Sequence, residues 1–186
     1  MEDPSFERLC CRRVVIRRFA PGDAEVFASY RSDPAVARYQ EWECPYAISE
    51  ARRFIASLDD LPPGRPGSWF QFAVSLASSG DLLGDVALGT SETDPGKAEL
   101  GFTFSAVSQG QGYASEAVGA VVAYAFGQLA MDRLDARTDA RNSPAHRLLA
   151  RLGFRRQAVR QAATWFKGEL VTDLLYTRLA SEVAAG

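Results

Sequence analysis

The stretch Gln109-Gly110-Gln111-Gly112-Tyr113-Ala114 lies between a predicted strand that ends at Phe104 and a predicted helix that begins at Ala114. Amides at the start of a helix lack intrahelical acceptors and point outward, and the helix dipole adds partial positive charge there. Glycines at 110 and 112 remove the Cβ atoms that would keep a phosphate away from the backbone. The stretch therefore predicts an anion site suited to a diphosphate, although glycine-rich turns also form purely for close packing.

Two other kinds of phosphate loop do not fit this context. A P-loop requires lysine and then serine or threonine after its last glycine, whereas Tyr113 and Ala114 follow Gly112. A dinucleotide-binding fingerprint requires an early parallel βαβ unit. Instead, an antiparallel meander of three strands joined by short turns precedes the loop. These strands are predicted at Trp69–Leu76, Leu82–Leu88 and Ala98–Phe104.

The rest of the chain predicts helices and strands on both sides of this meander. Ahead of it we expect a strand at Val14–Phe19, a helix capped by Asp23 and ended or kinked at Asp33-Pro34, and a second helix from Ser49 to Leu58. Behind it, helical spacing continues from Ala114 to Leu129. The later elements are predicted at Arg133–Thr138 (strand), Pro144–Leu152 (helix), Arg155–Ala162 (strand) and Leu170–Leu179 (strand). This order indicates one mixed α/β domain over residues 1–186, with a core of about residues 12–182.

The composition is that of an average globular protein. The chain has 186 residues, of which 47% are hydrophobic and 24% charged, and its net charge is −2. This balance gives no sign of a nucleic-acid partner, and no apolar run reaches membrane-spanning length. Cys10, Cys11 and Cys44 cannot all pair, and His146 is the sole histidine. We therefore expect free thiols in a reducing cytoplasm and no metal site.

Two ordered blocks resemble the GNAT superfamily of N-acetyltransferases. Glu99-Leu100-Gly101-Phe102, followed by Gln109–Ala117, resembles its acetyl-CoA motif Q/R-x-x-G-x-G/A, and is most similar to the RimJ/RimL-type (ribosomal-protein N-acetyltransferase) branch. Asn142–Phe154 resembles the N-x-x-S-x-x-L-L-x-x-L-G-F block of the same branch. Smaller similarities extend the resemblance over Val14 to Glu182: Arg38-Tyr39-Gln40-x-Trp42, Arg160, Gly168, Asp173, Tyr176 and Glu182.

The resemblance implies a GNAT fold and acetyl-CoA as cosubstrate. In that fold a central, mostly antiparallel twisted sheet has helices on both faces, and strands four and five splay apart to form the cofactor gap. Backbone groups of Phe102–Phe104 would pair with the pantetheine arm, amides of Gln111–Ser115 would hold the pyrophosphate, and Asn142 would reach the pantetheine. Arg147 would contact the nucleotide, although it is equally typical of a surface arginine. The implied cofactor-binding residues are Phe102, Thr103, Phe104, Gln109, Gly110, Gln111, Gly112, Tyr113, Ala114, Ser115, Asn142 and Arg147.

The implied reaction is direct attack of a neutral amine on the thioester, without a covalent enzyme intermediate. An amide near Leu100–Phe102 would polarise the thioester carbonyl. Strand alternation puts Glu99 on the face opposite Leu100, so Glu99 is the favoured general base or water-positioning group. Asp85 and Asp139 are weaker candidates, and a solvated or salt-bridged Glu99 is the alternative interpretation.

Two departures from the family pattern concern the acid that protonates the leaving thiolate. Leu149 stands where many GNAT enzymes place a tyrosine, and Ala145 stands where the RimJ/RimL-type branch often has serine. The source of that proton is therefore open.

The acceptor pocket is expected from the front half of the chain. Its candidate residues are Tyr39, Trp42, Trp69 and Gln71. Aromatic residues are also ordinary core material, and nothing in the sequence separates a protein N-terminus from a small amine. Two other functions stay open: a non-catalytic acyl-CoA-binding module of the same fold, and a nucleotide-binding regulator, for which no motif matches. The likeness alone implies a homodimer.

Overall fold

A computed structural model describes residues 1–182 of the chain, apart from the side chain of Ala163. Its strands are β1 (Arg8–Cys10), β2 (Val14–Arg17), β3 (Trp69–Leu76), β4 (Leu82–Thr90), β5 (Lys97–Phe104), β6 (Arg133–Asp139), β7 (Arg155–Phe166) and β8 (Glu169–Leu179). Its α-helices are α1 (Ala24–Arg31), α2 (Pro34–Ala37), α3 (Ile48–Ala56), α4 (Tyr113–Gly127) and α5 (Ser143–Arg151). Short 3₁₀ turns lie at Pro21–Asp23, Ala106–Ser108 and Ala180–Glu182.

The strands form one sheet in the order β1-β2-β3-β4-β5-β6-β8-β7. Neighbouring strands pair antiparallel except for β5 and β6, which are parallel. A parallel pair needs a crossover, and here α4 supplies it between the two strands. The mostly antiparallel sheet predicted from the sequence is therefore confirmed.

Apolar residues cover both faces of the sheet. On one face, Phe72 and Val86 pack with Val121 of α4 and Leu149 of α5 in the larger core cluster. On the other face, a second cluster joins Phe27 of α1 and Ile55 of α3 to the sheet, and its sheet members include Ala73 and Leu82. Every residue of β4 is buried, because this strand lies between neighbours and under helices on both sides. The expectation of helices on both faces is also confirmed.

The meander is confirmed, and its strands β4 and β5 extend a little beyond the predicted bounds. The predicted helix at Ala114–Leu129 corresponds to α4, and the turn at Lys167-Gly168 joins β7 to β8. Both turn residues have positive φ, 45° and 85°, as a two-residue hairpin turn requires. Strands four and five of the GNAT fold, which splay apart, correspond to β5 and β6 here. The numbers differ by one because β1 is an additional first strand that the sequence did not predict.

Three predictions at the front and end of the chain were wrong in detail. The first strand ends at Arg17, not Phe19. Asp23 does not cap α1, because the 3₁₀ turn at Pro21–Asp23 directs its carboxylate back to the Ala20 amide, 2.7 Å away. Strand β7 continues past Ala162 to Phe166 through an irregularity in its pairing with β8. The predicted domain end at residues 183–186 lies outside the described residues.

Candidate acetyl-transfer site

The central feature of the site is a gap between β5 and β6. Their parallel pairing has three registered pairs and ends at Glu99 opposite Asp135. Beyond that point β5 continues to Phe104, still paired with β4, while β6 continues to Asp139 against β8. The two strands therefore diverge, and alternate amides and carbonyls of β5 on the β6 side are left without a strand partner. This is the splayed gap that the sequence resemblance implied.

A set of free amides lies beyond the end of β5. Gly110 and Gly112 adopt left-handed φ values of 75° and 82°, and Gly112 directly precedes the first residue of α4. Among residues 1–182, the backbone amides of Gly110 to Ser115 donate to no protein acceptor. A Cβ at Gly110 would meet no protein atom within 4 Å. The loop thus forms an open, positively polarised cradle at a helix N-terminus, which fits a diphosphate.

Arg13, just before β2, holds this loop from behind. Its Nη1 donates to the Gln111 carbonyl (2.9 Å), and its Nε donates to the Glu116 carboxylate (2.9 Å). The guanidinium carbon also lies 4.8 Å from the centre of the Tyr113 ring. Burial acts to raise the pKa of Glu116, but hydrogen bonds from the Arg13 amide and side chain outweigh it and lower that pKa. Arg13 thereby neutralises the negative charge of Glu116 in the first turn of α4, which would otherwise repel an anion bound at the cradle.

Loss of this brace is expected to weaken cofactor binding. In an Arg13→Ala variant, the Gln111 carbonyl loses its partner and the Glu116 carboxylate loses its counter-ion beside the cradle. Removal of hydrogen bonds to charged groups costs about 1.5–3 kcal/mol, so KM for acetyl-CoA should rise about tenfold with a smaller change in kcat. Steady-state kinetics at saturating amine measure this, with the neighbouring exposed Arg12→Ala as the control. Equal KM values in both variants would contradict the bracing role.

A groove of about 490 Å³ runs from the gap to the cradle. Ten of the twelve predicted cofactor residues line it: Phe102, Thr103, Phe104, Gln109, Gly110, Gly112, Ala114, Ser115, Asn142 and Arg147. Gln111 and Tyr113 do not line it. The Gln111 side chain donates to the Val107 carbonyl (2.7 Å), and the Tyr113 ring lies against Arg13. For these two residues, only the backbone amide is placed where the predicted pyrophosphate contact would form.

Helix α5 forms one wall of the groove. Asn142 caps it, since its Oδ1 accepts a hydrogen bond from the Ala145 amide (3.3 Å). Arg147 and Arg151 both line the groove, and residues four apart share one helix face. Arg151 also donates to the Ser115 hydroxyl (2.8 Å). Sequence reasoning missed Arg151, although the four-residue spacing from Arg147 was a usable signal.

A second cavity, also of about 490 Å³, is lined by residues of β3, β4, β5 and β6 together with the segment that follows α2. All four predicted acceptor residues line it: Tyr39, Trp42, Trp69 and Gln71. The Trp69 ring packs directly over Gly89, where a Cβ would overlap the indole. This cavity and the cofactor groove share residues at their junction: Tyr39, Gln40, Phe102 and Thr103. The two spaces therefore meet beside the unpaired part of β5.

We call this second cavity the acceptor cavity, after the predicted acceptor residues that line it. Glu99 lies in its wall, at the apex of the gap. Its carboxylate accepts no hydrogen bond and forms no ion pair with any residue in 1–182. Burial raises the pKa of Glu99 above its ordinary value, and this exceeds the opposing effect of Arg137. A half-buried carboxylate with a raised pKa and unused acceptor atoms suits a proton acceptor.

The two weaker carboxylate candidates are occupied by protein donors. Hydrogen bonds from Arg141 lower the pKa of Asp139, and the closest contact, from Nη2, is 2.6 Å. Asp85 is buried and accepts hydrogen bonds from Tyr30 and Gln71. Burial raises the pKa of Asp85, with Arg31 acting in the opposite direction. Both carboxylates therefore have less unused hydrogen-bonding capacity than Glu99.

The two departures from the family pattern lie on α5. Leu149 is 1% exposed in the core, and Ala145 lines the cofactor groove. Neither supplies a proton donor. The His146 Nε2 lies 3.0 Å from the Asp139 carbonyl, and its ring is near Tyr176. The structure therefore does not identify the acid that would protonate the leaving thiolate, and the sequence did not identify it either.

Within residues 1–182, no group of three or more His, Cys, Asp or Glu is arranged to hold a metal ion. In the same part of the chain, no helix has the length and apolarity needed to cross a membrane.

Comparison with known proteins places the chain among acetyltransferases. Residues 13–155 match the family described as Acetyltransferase (GNAT) domain. The uncharacterized N-acetyltransferase p20 of Bacillus licheniformis is 28% identical over 179 residues, which cover 96% of this chain and 99% of that protein. A GNAT-family acetyltransferase from Bacillus anthracis has the same fold, with a TM-score of 0.83, 24% identity and coverage of 94% and 99%. RimJ of Mycobacterium smegmatis, solved in complex with CoA-disulfide, gives a TM-score of 0.81 at 20% identity, covering 95% and 88%.

Proposed function

The chain belongs to the GNAT family of N-acetyltransferases, and from this premise we propose that it transfers an acetyl group from acetyl-CoA directly to a primary amine. The acceptor is a small molecule or a protein N-terminus. The observation that carries the proposal is the meeting of two cavities at Phe102 and Thr103, on the part of β5 that has no partner in β6. One cavity carries the anion cradle, and the other carries Glu99.

Acetyl-CoA supplies the acetyl group as a reactive thioester. The residues proposed to hold it are the amides of Gly110–Ser115 at the pyrophosphate, the free edge of β5 at the pantetheine, and Arg147 and Arg151 at the nucleotide. Two charged side chains at four-residue spacing on one helix suit a ligand with several phosphates.

Within the acceptor cavity, we assign the proton transfer to Glu99. The acceptor amine must be neutral to attack, so Glu99 takes its proton directly or through one water. An unpaired β5 amide near Leu100–Phe102 donates to the carbonyl oxygen as the C–N bond forms and the C–S bond breaks. The nitrogen loses its second proton to solvent as the amide forms, and the departing thiolate takes a proton from water or from a side chain other than Leu149. No covalent bond to the protein is required.

Release of free CoA over a panel of amines and N-terminal peptides tests the proposal. Turnover that depends on both acetyl-CoA and an amine supports it. A non-catalytic acyl-CoA-binding module is the alternative, favoured only by the absence of a proton donor at Leu149 and Ala145. That alternative predicts acetyl-CoA binding by calorimetry with no CoA release from any amine. The absence of both binding and turnover would reject both functions.

The pH dependence of the reaction is expected to contain a limb due to Glu99. A base acts only when deprotonated, and burial raises the pKa of Glu99, so kcat/KM should increase with pH through a value above about 4.3, the ordinary glutamate pKa. A second increase follows as the amine loses its proton, near about 10 for an alkylamine. Rates measured from about pH 4 to 11 cover the ordinary glutamate and amine pKa values and resolve the two limbs. A lower limb that persists unchanged in Glu99→Gln would assign it to another group.

The cytoplasmic location stays a prediction from the cysteine content and composition, and the homodimer stays a prediction from the family likeness.

A further inference from the structure

The acceptor cavity contains one buried cation whose hydrogen-bonding groups are unused. Arg31, the last residue of α1, is 7% exposed and lines the cavity. Its guanidinium carbon lies 3.9 Å from the centre of the Trp42 ring and 4.1 Å from that of Phe27. Stacking of this kind covers the two faces of a guanidinium and leaves its edge free.

Within residues 1–182, the Arg31 side chain forms no hydrogen bond of ordinary length and angle, although the Tyr30 and Tyr46 hydroxyls lie close enough for the guanidinium to act on their pKa values in the lowering direction. Its Nε is the single fully buried, unpartnered side-chain nitrogen or oxygen in that range. The nearest carboxylate oxygen belongs to Asp85, at 3.9 Å from Nη2, which is too long for a hydrogen bond. A guanidinium carries five donors, and buried donors in native proteins have partners. Nη1 and Nη2 also form no hydrogen bond with residues 1–182, and they are not fully buried, so an acceptor that enters the cavity can reach these two groups.

The carboxylates of the cavity show the opposite pattern, because protein donors already engage nearly all of them. Asp85 accepts from Tyr30 and Gln71, while Asp139 accepts from Arg141. The other engaged carboxylates are Asp173 (with Thr164) and Glu41 (with Arg137). Glu99 is the one cavity-lining carboxylate that accepts no hydrogen bond from residues 1–182. Arg31, which is ion-paired with Asp85 at 3.9 Å, and Glu99 are thus the charged cavity groups whose hydrogen-bonding atoms are unused within residues 1–182.

On this basis, and resting on the proposed acetyl transfer, we propose that the acceptor is an amino acid or short peptide whose carboxylate binds Arg31 and whose reacting amine lies several bonds away. The planar fork of a guanidinium matches a carboxylate in a bidentate pair. Glu99 then receives the amine end, where the proposed transfer occurs. The structure thus assigns Arg31 as a specificity-determining residue for an amino-carboxylate acceptor.

The strand register also sets the distance between the two ends of that acceptor. Arg31 lies beside Asp85, whereas Glu99 is paired with Gly89, four residues further along β4. At about 3.3 Å per residue, this separation is roughly 13 Å between backbone positions, part of which the side chains span. An acceptor whose amine and carboxylate are separated by several bonds fits better than a compact α-amino acid reacting at its α-amine.

Matched acceptors test this assignment. The panel pairs 6-aminohexanoate with 6-aminohexanamide, and glycylglycine with its C-terminal amide, with 1,6-diaminohexane as a dicationic comparison. For the wild-type protein we expect kcat/KM to be at least about tenfold higher for the carboxylate member of each pair, as loss of a charge-assisted hydrogen bond predicts. Arg31→Met should reduce that preference to within about twofold while leaving KM for acetyl-CoA unchanged.

The control is Arg38→Met, the same substitution at an exposed arginine that lines neither cavity; it should keep the full preference. Arg31→Lys keeps a positive charge beside Asp85 and replaces Arg31→Met if the latter does not fold, with an expected partial loss of preference. Equal use of acid and amide by the wild type, or an equal decrease for both members in the variant, overturns the inference while leaving acetyl transfer standing.

A binding measurement keeps the test independent of turnover. Calorimetric titration of 6-aminohexanoate into the CoA-saturated wild-type protein should give binding that 6-aminohexanamide lacks and that Arg31→Met weakens at least about tenfold. Absence of carboxylate-dependent binding overturns the inference and indicates water as the partner of Arg31. Failure of the proposed function itself looks different, since acetyl-CoA would then neither bind nor be consumed with any amine.

Discussion

A Glu99→Gln variant is expected to lose about 10²- to 10⁴-fold in kcat, the usual contribution of a positioned general base. Glutamine keeps the shape and polarity of the side chain and removes its ability to take a proton. Glu99 lines the acceptor cavity and not the cofactor groove, so KM for acetyl-CoA should stay within about twofold. Steady-state kinetics with acetyl-CoA and amine varied in turn separate these two effects.

The matched control for this experiment is Glu92→Gln. Glu92 is exposed on the turn between β4 and β5, so the same chemical change is made close to the same strands but away from both cavities. Its kcat should equal that of the wild type. If Glu99→Gln retained more than half of kcat, Glu99 would not be the general base. Asp85, the deeply buried carboxylate on the neighbouring strand β4, would then be the next candidate.

A Gly112→Ala variant is expected to weaken acetyl-CoA binding about a hundredfold. Gly112 has φ of 82°, and a Cβ there would come within 3.2 Å of Arg13 Nη2. Alanine in this conformation costs about 1–3 kcal/mol, and relief of that strain displaces amides that each contribute about 1.5–3 kcal/mol to a charged ligand. Isothermal titration with acetyl-CoA measures the loss, and circular dichroism verifies that the fold is retained.

Two further glycine variants separate strain from blockage of the phosphate. At Gly110, with φ of 75°, a Cβ meets no protein atom within 4 Å, so weaker binding in Gly110→Ala beyond the effect of backbone strain reports contact with the ligand. At Gly127, near the end of α4, there is neither a positive φ nor a nearby atom. Gly127→Ala should therefore bind normally and be slightly more stable, because alanine favours helix. Normal binding by Gly112→Ala would contradict the cradle assignment.

Local sequence patterns were sufficient to predict most elements of the fold. Alternation in Trp69–Leu76 predicted β3 with its observed bounds, and helical spacing after Gly112 predicted α4. These patterns succeed because pleat and helix periods are local properties of the chain. The prediction failed where neighbours in space decide the outcome. The short strand Arg8–Cys10 forms only because Val15–Arg17 lies beside it, and the Asp23 carboxylate turns back because a 3₁₀ turn precedes α1.

The sequence by itself determined the glycine cradle of Gln109–Ala114. Left-handed glycines and free amides at a helix start depend on neighbouring residues alone. The tertiary structure decided what surrounds and completes that cradle. Arg13 reaches Glu116 across 103 positions of sequence, and Tyr30 reaches Asp85 across 55. Availability of a charged group depends on burial and on partners brought from distant segments. For that reason the sequence could favour Glu99 as a candidate but gave no sign of Arg31, and only the folded chain showed that both side chains have unused hydrogen-bonding atoms within residues 1–182.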